Sequence, residues 1–255
     1  MLEKLFKDKV AIITGGSRGL GAAIAQDLAS RGANVLITYN SAKDDAEIIA
    51  HKITKLGREA VIVQGNGTDR SAPERIVATA VQKWGHIDII INNAGAGDDA
   101  LLEDLTHELW DKLYDTNVRL PTFLVKAALP YFGPAPRIVN ISSVAARAGT
   151  SYMSAYASSK AALEGITRVW AHELGQKYNA TVNCVNPGPI ATDMWLRDTD
   201  AAILAEWDER MKETPAGARI ATVDDIVPIV AFLSHESSRW STGSVVNANG
   251  GLIFV

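Results

Sequence analysis

Cysteine is nearly absent from this chain of 255 residues, in which Cys184 is the single example. One cysteine cannot form a disulfide within the chain, so a small disulfide-stabilised scaffold is excluded. Cys184 lies in the apolar stretch 181–185, which is typical of a buried strand thiol. The alternative, a catalytic cysteine, lacks a histidine nearby in sequence. Chemistry based on this thiol is therefore not expected.

The sequence also lacks a long apolar segment near its start and an excess of basic residues. Charged side chains occupy positions 3, 4, 7, 8 and 9, and no long apolar run follows, so neither a secretory signal nor a transmembrane helix is predicted. Acidic residues outnumber basic ones 29 to 25, which argues against a nucleic-acid partner. We expect a soluble cytoplasmic protein that binds a small molecule, with no membrane partner and no metal site.

Short apolar runs alternate with amphipathic segments along the whole chain. The predicted strands cover residues 10–14, 35–38, 60–64, 87–92, 137–142, 181–186 and 244–248, and the predicted helices cover 19–31, 43–56, 73–84, 101–113 and 154–178. Several strands are apolar on both faces, as in a parallel sheet covered by helices on both sides. The sequence therefore predicts an α/β fold with one Rossmann-type doubly wound parallel sheet of about seven strands, forming a single domain over residues 1–255.

One long segment departs from this alternation, between the sixth and seventh predicted strands at about 187–225. Its middle part mixes charges with large apolar side chains such as Trp195 and Trp207. Long insertions in α/β domains are often functional lids, so we predict a substrate lid at about 190–215. An ordinary amphipathic surface helix is the alternative, and the two interpretations are compatible.

A glycine-rich loop, Thr-Gly-Gly-Ser-Arg-Gly-Leu-Gly at 14–21, follows the first strand and opens the first helix. Glycines let the backbone approach a pyrophosphate closely, and the helix N-terminus offers free N–H groups to the anion. The position between a strand and a helix favours a dinucleotide site over a simple turn. Its predicted contacts are Gly15, Ser17, Arg18, Gly19, Leu20 and Gly21.

The end of the second strand indicates which dinucleotide is bound. A carboxylate there would hold the ribose 2′-hydroxyl of NAD, but no acid occurs before Asp44. Arg18 supplies a cation for a 2′-phosphate, and Asn40 and Ser41 supply hydrogen-bond donors. Arg18 as a solvated loop charge is the alternative. The missing acid and the present arginine together predict NADPH (NADP).

Candidate catalytic groups lie at strand ends and on one predicted helix. Tyr156 and Lys160 are four residues apart, which places both side chains on one helix face. A neighbouring ammonium is expected to lower the pKa of the phenol toward the range useful for proton transfer. Ser142 and Ser143 end the fifth strand, at the sheet edge where α/β folds bind ligands. A serine hydroxyl there is suited to hold the oxygen of a substrate.

Together these motifs resemble the short-chain dehydrogenase/reductase family over nearly the whole chain. The matching positions are the loop at 14–21, Asn-Asn-Ala-Gly at 92–95, Asn117, Ser143, Tyr156-x-x-x-Lys160 and Pro187-Gly188. The resemblance implies that Tyr156 protonates a carbonyl oxygen as hydride arrives from C4 of the nicotinamide, while Ser143 polarises that oxygen. It further implies that Lys160 binds the nicotinamide ribose and that Asn117 anchors a proton-relay water. Ser142 is the less favoured substitute for Ser143.

The resemblance also implies the rest of the cofactor site and an assembly. The further cofactor contacts expected from it are Tyr156, Lys160, Asn66, Gly67, Asn93, Ala94, Gly95, Pro187, Gly188, Ile190 and Thr192. Asn66-Gly67 departs from the Asp that many members have there, although asparagine keeps an acceptor for the adenine amino group. Members of the family are usually tetramers or dimers, so a homo-oligomer, most often a homotetramer, is expected.

Among family members the chain looks most like β-ketoacyl reductases and related ketone or polyketide reductases. The residues expected to face substrate are apolar or aromatic: Ala96, Val144, Ala145, Tyr152, Met153, Met194 and Trp195. This lining predicts a hydrophobic or ring-containing ketone that is reduced to an alcohol. Two alternatives stay open: a non-redox isomerase or cyclase on the same scaffold, and a cofactor-binding regulator without turnover.

Overall fold

The computed structural model describes residues 5–192 and 201–254, in which seven parallel strands form one sheet. The strands are β1 (Val10–Ile13), β2 (Asn34–Tyr39), β3 (Ala60–Gln64), β4 (Ile87–Asn92), β5 (Phe132–Ile141), β6 (Thr181–Pro187) and β7 (Val245–Ala248). Their order across the sheet is β3-β2-β1-β4-β5-β6-β7. The predicted parallel, doubly wound sheet is thereby confirmed.

Helices cover both faces of the sheet. They are α1 (Gly19–Ser30), α2 (Lys43–Lys55), α3 (Ala72–Trp84), α4 (His107–Tyr114), α5 (Leu120–Ala128), α6 (Ser154–Tyr178), α7 (Ala201–Met211) and α8 (Val223–Leu233). Buried apolar residues of α1, α2 and α8 form one core layer, and those of α3, α5 and α6 form the other. None of the helices in the described ranges is long and apolar enough to span a membrane.

The central strands of the sheet are buried on both sides. All residues of β1, β4 and β6 are buried, which is the pattern of strands that helices cover on both faces. The chain leaves β1 toward β2 on one side, whereas β4 lies on its other side. This reversal opens a crevice at the carboxyl ends of β1 and β4, the usual ligand site of doubly wound sheets.

The predicted helix at 101–113 is wrong in its first half. A 3₁₀ turn covers Leu102–Asp104, and α4 begins only at His107. Thr106 precedes the helix in an extended conformation, and its hydroxyl accepts a hydrogen bond from the Leu109 N–H at 3.1 Å. A capping threonine therefore sets the helix start, because it satisfies a backbone donor that lacks an intrahelical partner.

Candidate active site

The glycine loop turns so tightly that two of its glycines could not be replaced without moving backbone. Gly15 has φ +64°, in the left-handed region that favours glycine. A Cβ on Gly21 would lie 2.3 Å from the Gly15 carbonyl oxygen. The loop therefore packs directly on the first turn of α1, whose N–H groups face the crevice end of the sheet.

Hydrogen bonds between neighbouring strand ends fix this loop. The Thr14 hydroxyl accepts from the N–H groups of Asn93 and Ala94, both at 3.0 Å. The Asn93 side chain donates back to the Thr14 carbonyl at 2.9 Å, and the Gly15 N–H donates to the Thr38 hydroxyl at 3.0 Å. The predicted residues Asn93 and Ala94 are thus brought against the glycine loop. Thr38 was not predicted, and Thr14 was predicted only as a part of the loop motif, although the position of both at the ends of buried strands was a usable signal.

Arg18, Asn40 and Ser41 are exposed at the mouth of this crevice, Arg18 at the start of α1 and the other two after β2. The Arg18 side chain makes no hydrogen bond or ion pair with any residue in the described part of the chain, and only its backbone carbonyl accepts a hydrogen bond, from the Ala22 N–H. Its guanidinium is therefore available to an anion. No carboxylate follows directly after β2, where an enzyme that prefers NAD would carry one. The first acid after β2 is Asp44, in the first turn of α2.

The end of β3 approaches the segment before α5. A Cβ on Gly67 would lie 2.5 Å from the Thr116 hydroxyl, so only glycine fits there, and Arg119 donates to the Gly67 carbonyl at 3.1 Å. The Asn66 side-chain oxygen accepts from the Thr68 N–H and hydroxyl, both at 3.0 Å. The expected adenine contact of Asn66 stays a prediction, and it requires that oxygen to be shared with Thr68.

Tyr156 and Lys160 lie on the first turns of α6 and face the end of β5. The Lys160 ammonium donates to the Ile141 carbonyl at 2.9 Å and lies 5.8 Å from the centroid of the Tyr156 ring. Lys160 is buried, with 4% of its surface exposed. Burial lowers the pKa of Lys160 to about 8, because the charged form loses solvation.

The phenol of Tyr156 is protonated at neutral pH. Burial raises the pKa of Tyr156, a hydrogen bond with Ser143 lowers it, and the charge of Asp99 raises it further. The expectation that Lys160 sets a lowered pKa is therefore wrong for the protein alone: desolvation is the largest effect, and the net direction is upward. A protonated phenol is the state that can donate a proton.

The two serines at the end of β5 have different environments. The Ser142 hydroxyl is buried and donates to a carboxylate oxygen of Glu164 at 3.1 Å. Ser143 is only partly buried and its hydroxyl interacts with the Tyr156 phenol. The geometry favours Ser143 over Ser142 as the group that meets a substrate oxygen.

Asn117 lies in a π-helical turn, Asp115–Arg119, between α4 and α5. Its amide pairs with the backbone of Ala96, donating to the carbonyl and accepting from the N–H, each at 2.9 Å. It also donates to the Ser159 hydroxyl at 3.0 Å. A Cβ on Gly95 would lie 3.4 Å from the Lys160 nitrogen. The loop after β4 is therefore fixed against both Asn117 and Lys160.

Two segments adjoin the catalytic groups, one beside the Tyr156 ring and one between Ser143 and α6 in the chain. One is the loop 95–100, in which a Cβ on Gly97 would lie 3.6 Å from the phenol ring. The other is residues 144–153, called the substrate loop here. The two are joined where Ala100 pairs with Met153 and its N–H donates to the Tyr152 carbonyl at 2.8 Å. Gly97 and Asp99 were not predicted, because only the folded loop brings them to the phenol.

The structure places most of the predicted substrate residues around these segments. Ala96 and Met153 are partly buried, Val144 and Ala145 are buried, and Tyr152 is half exposed with φ +69°. Met194 and Trp195 lie outside the described residues, as does part of the predicted lid. No group of three or more potential metal-ligating side chains occurs in the part of the chain that the structure describes.

The segment after β6 returns toward the glycine loop. Pro187 ends β6, and Gly188 lies beside Asn249 after β7. Ile190 pairs with Ala221, and a Cβ on Gly19 would lie 3.4 Å from the Thr192 side chain. The predicted residues Ile190 and Thr192 thus lie at the crevice that the glycine loop borders.

Known proteins share this fold and sequence over almost the full chain. A family model described as enoyl-(acyl carrier protein) reductase matches residues 15–253. The short-chain dehydrogenase/reductase FrzI of Cladobotryum sp is 64% identical over 250 residues, covering 97% of both chains. The hydroxynaphthalene reductase-like protein Arp2 of Metarhizium anisopliae is 36% identical over 254 residues, covering 96% of this chain and 95% of its own.

Solved structures with the same fold include proteins described, like these relatives, as short-chain dehydrogenases. A short-chain dehydrogenase from Burkholderia cenocepacia J2315, crystallised in complex with NADP, superposes with a TM-score of 0.90. It is 37% identical, and the match covers 97% of this chain and 99% of that one. With the strand order, the glycine loop and the Ser143, Tyr156 and Lys160 cluster in place, the chain belongs to the short-chain dehydrogenase/reductase family of oxidoreductases.

Proposed function

We propose that this oxidoreductase uses NADPH to reduce a hydrophobic or ring-containing ketone to an alcohol. The observation that carries the proposal is the convergence of Ser143, Tyr156 and Lys160 on one edge of the sheet, beside a glycine loop shaped for a dinucleotide. These groups match a reaction in which a carbonyl oxygen gains a proton at a polarised, largely dry site.

NADPH fits the residues around the glycine loop. The glycines at 15 and 21 keep side chains away from the place of a pyrophosphate, and the exposed Arg18 side chain, which has no partner among the described residues, is placed to meet the extra phosphate of NADPH. The related Burkholderia enzyme was crystallised with NADP, which supports this choice. When bound, NADPH supplies the hydride that reduces the carbonyl carbon.

The protein's own residues handle the oxygen of the substrate. Ser143 donates a hydrogen bond to the carbonyl oxygen, and Tyr156 transfers its phenolic proton to that oxygen as negative charge develops. Lys160, held by the Ile141 carbonyl, stabilises the tyrosinate left behind. The Asn117 side chain is committed to Ala96 and Ser159, so a proton-relay water would be held by its backbone carbonyl.

The proposed substrate class rests on the substrate loop. Val144 and Ala145 are buried apolar residues that directly follow Ser143, and Tyr152 is half exposed. Such surroundings favour an apolar or aromatic body attached to the reacting carbonyl. The name of the Metarhizium relative, a hydroxynaphthalene reductase-like protein, also suggests a ring system.

A panel of ketones with NADPH tests the proposal. Absorbance at 340 nm reports NADPH consumption, and mass spectrometry identifies the alcohol that forms. We expect cyclic and aryl ketones to be reduced in preference to short linear ones. Tight NADPH binding with no consumption on any ketone would contradict the proposal and favour a non-redox isomerase or cyclase.

A further inference from the structure

Glu164 is a buried carboxylate on α6, one helical turn beyond Lys160, and only 2% of its surface is exposed. One of its oxygens accepts from the Ser142 hydroxyl and from the Asn186 amide, both at 3.1 Å. Its other oxygen accepts from the Arg147 guanidinium at 2.5 Å. A charge this deeply buried persists only when it is paired and hydrogen-bonded, and all three partners come from outside α6.

Each partner belongs to a different segment of the site. Ser142 immediately precedes Ser143 at the end of β5, and Asn186 lies next to Pro187 at the end of β6. Arg147 follows the 3₁₀ turn Val144–Ala146 within the substrate loop. Glu164 therefore connects the helix that carries Tyr156 to the end of β5, where Ser143 lies, to the end of β6, and to the substrate loop.

We propose that Glu164 is a positioning residue of the reductase, with Arg147 as the partner through which it holds the substrate loop. The proposal rests on the proposed function, because it assigns Glu164 the task of keeping Ser143 and the substrate loop in register with Tyr156. Glu164 does not touch the reacting atoms. Its effect on turnover is exerted through the geometry of the groups that do, where displacements of about 1 Å cost up to about 10²-fold in rate.

The two carboxylate oxygens allow the connections to be separated by mutation. Glu164→Gln can keep an amide oxygen toward Ser142 and Asn186, but it then turns an NH₂ group toward the Arg147 N–H. Two donors cannot pair, so Arg147 is released, and its partly exposed side chain can be solvated (32% exposed). Glu164→Ala removes all three acceptor contacts at once. The first variant loosens the substrate loop alone, whereas the second also loosens the ends of β5 and β6.

The test compares Glu164→Gln, Arg147→Gln, the double variant and Glu164→Ala, with Glu173→Gln as a control at an exposed site on the same helix. Amide hydrogen exchange of the NADPH-bound proteins is followed by mass spectrometry over residues 142–153. NADPH affinity is measured by tryptophan fluorescence quenching. Kinetics are measured with 2-tetralone, a ring ketone chosen as the probe.

We expect Glu164→Gln and Arg147→Gln to speed exchange in the substrate loop and to raise KM for the ketone about tenfold, the order of one lost charged hydrogen bond. NADPH affinity and kcat should stay within about threefold of wild type, since the glycine loop and Ser143 are not disturbed. The double variant should be no worse than either single change, because both remove one interaction. Glu164→Ala should in addition lower kcat about 10²-fold.

Three outcomes can be told apart. Wild-type exchange and wild-type KM in Glu164→Gln and Arg147→Gln would overturn the positioning role while leaving the proposed function intact. A wild-type enzyme that reduces neither 2-tetralone nor any other ketone would instead contradict the proposed function. A fall in melting temperature with unchanged kinetics and unchanged loop exchange would mean that Glu164 only stabilises the fold. Because the two glutamine variants carry the argument, failure of Glu164→Ala to fold does not affect it.

Discussion

The surroundings of Tyr156 shift the pKa of its phenol in opposite directions. Burial raises its pKa, the hydrogen bond with Ser143 lowers it, and Asp99 raises it again. Lys160 is buried beside it, and burial lowers the pKa of that ammonium to about 8. The site thus keeps the proton on the tyrosine and weakens the hold of the lysine on its own proton. A protonated phenol is therefore available to a carbonyl oxygen that becomes basic during reduction.

Asp99→Asn should move the pH profile of ketone reduction to lower pH. Removal of the Asp99 charge lowers the pKa of Tyr156, because that charge disfavours the tyrosinate. The protonated phenol is the active form in reduction, so kcat/KM is high at low pH and falls as pH rises through this pKa. The fall should begin at lower pH in the variant than in the wild type.

The matched control is Asp98→Asn. Asp98 pairs with Lys112 at 2.7 Å and does not contribute to the pKa shift of Tyr156. Its variant should keep the wild-type position of the fall in kcat/KM. Equal profiles for wild type and Asp99→Asn would contradict the electrostatic role of Asp99.

At the scale of secondary-structure elements, the β1–α1 unit depends on backbone that only glycine allows. A Cβ on Gly21 would lie 2.3 Å from the Gly15 oxygen and 2.5 Å from the Asn93 amide nitrogen. One contact is with backbone, so a side-chain rotation cannot relieve it. The glycine loop, the start of α1 and the end of β4 therefore have to move together if this position changes.

Gly21→Ala should weaken NADPH binding by at least about tenfold and lower the melting temperature, because the loop is displaced from the strand ends. Fluorescence titration and thermal unfolding give the two values. The control is Gly165→Ala in α6, where an added Cβ meets nothing within 4 Å. That helix position gains up to about 1 kcal/mol in propensity, so the control should be at least as stable as wild type. Wild-type affinity in Gly21→Ala would refute the proposed role of the glycine loop in NADPH binding.

Arg18→Ala should weaken NADPH binding about 10- to 100-fold, the worth of a charged hydrogen bond to phosphate, and leave NADH binding nearly unchanged. Paired titrations with both nucleotides measure the difference. Arg239→Ala is the control, since Arg239 is exposed but lies near Lys9 and Asp88, at the opposite end of the strands. Equal losses for NADPH and NADH in Arg18→Ala would show that Arg18 does not contact the 2′-phosphate.

Some element ends followed from the sequence and others did not. The sequence predicts β3, β4 and α6 with the observed ends, and Asn179 after α6 takes the left-handed conformation that closes a helix. The helix at 101–113 was misjudged because its apolar spacing hides a 3₁₀ turn and a cap at Thr106. The π-helical turn that holds Asn117 has no comparable signal in a single sequence.

At the scale of the whole molecule, the sequence predicts the parallel sheet but not which side chains it brings together. Ser142 and Asn186 are each 22 residues from Glu164 along the chain. They contact Glu164 only because β5, β6 and α6 pack against one another. Asp99 reaches the phenol through a loop whose path no local pattern specifies. The motifs at strand ends could therefore be found from the sequence. Asp99, which shifts the pKa of Tyr156, and Glu164, which holds the strand ends, could be identified only from the folded structure.

The homo-oligomer stays a prediction, as do the lid at about 190–215 and the single-domain assignment. Two helices carry exposed apolar side chains, Phe123 on α5 at 40% and Val169 on α6 at 53%. Their exposure is compatible with that expectation.

The most direct test of the central claim is turnover by Tyr156→Phe, measured together with NADPH affinity. The phenylalanine keeps the ring but removes the proton donor, so we expect kcat for ketone reduction to fall by about 10²-fold or more while the dissociation constant of NADPH stays within about twofold. Tyr131→Phe, an exposed tyrosine in the turn that precedes β5, serves as the control and should match wild type. Full turnover in Tyr156→Phe would contradict the account.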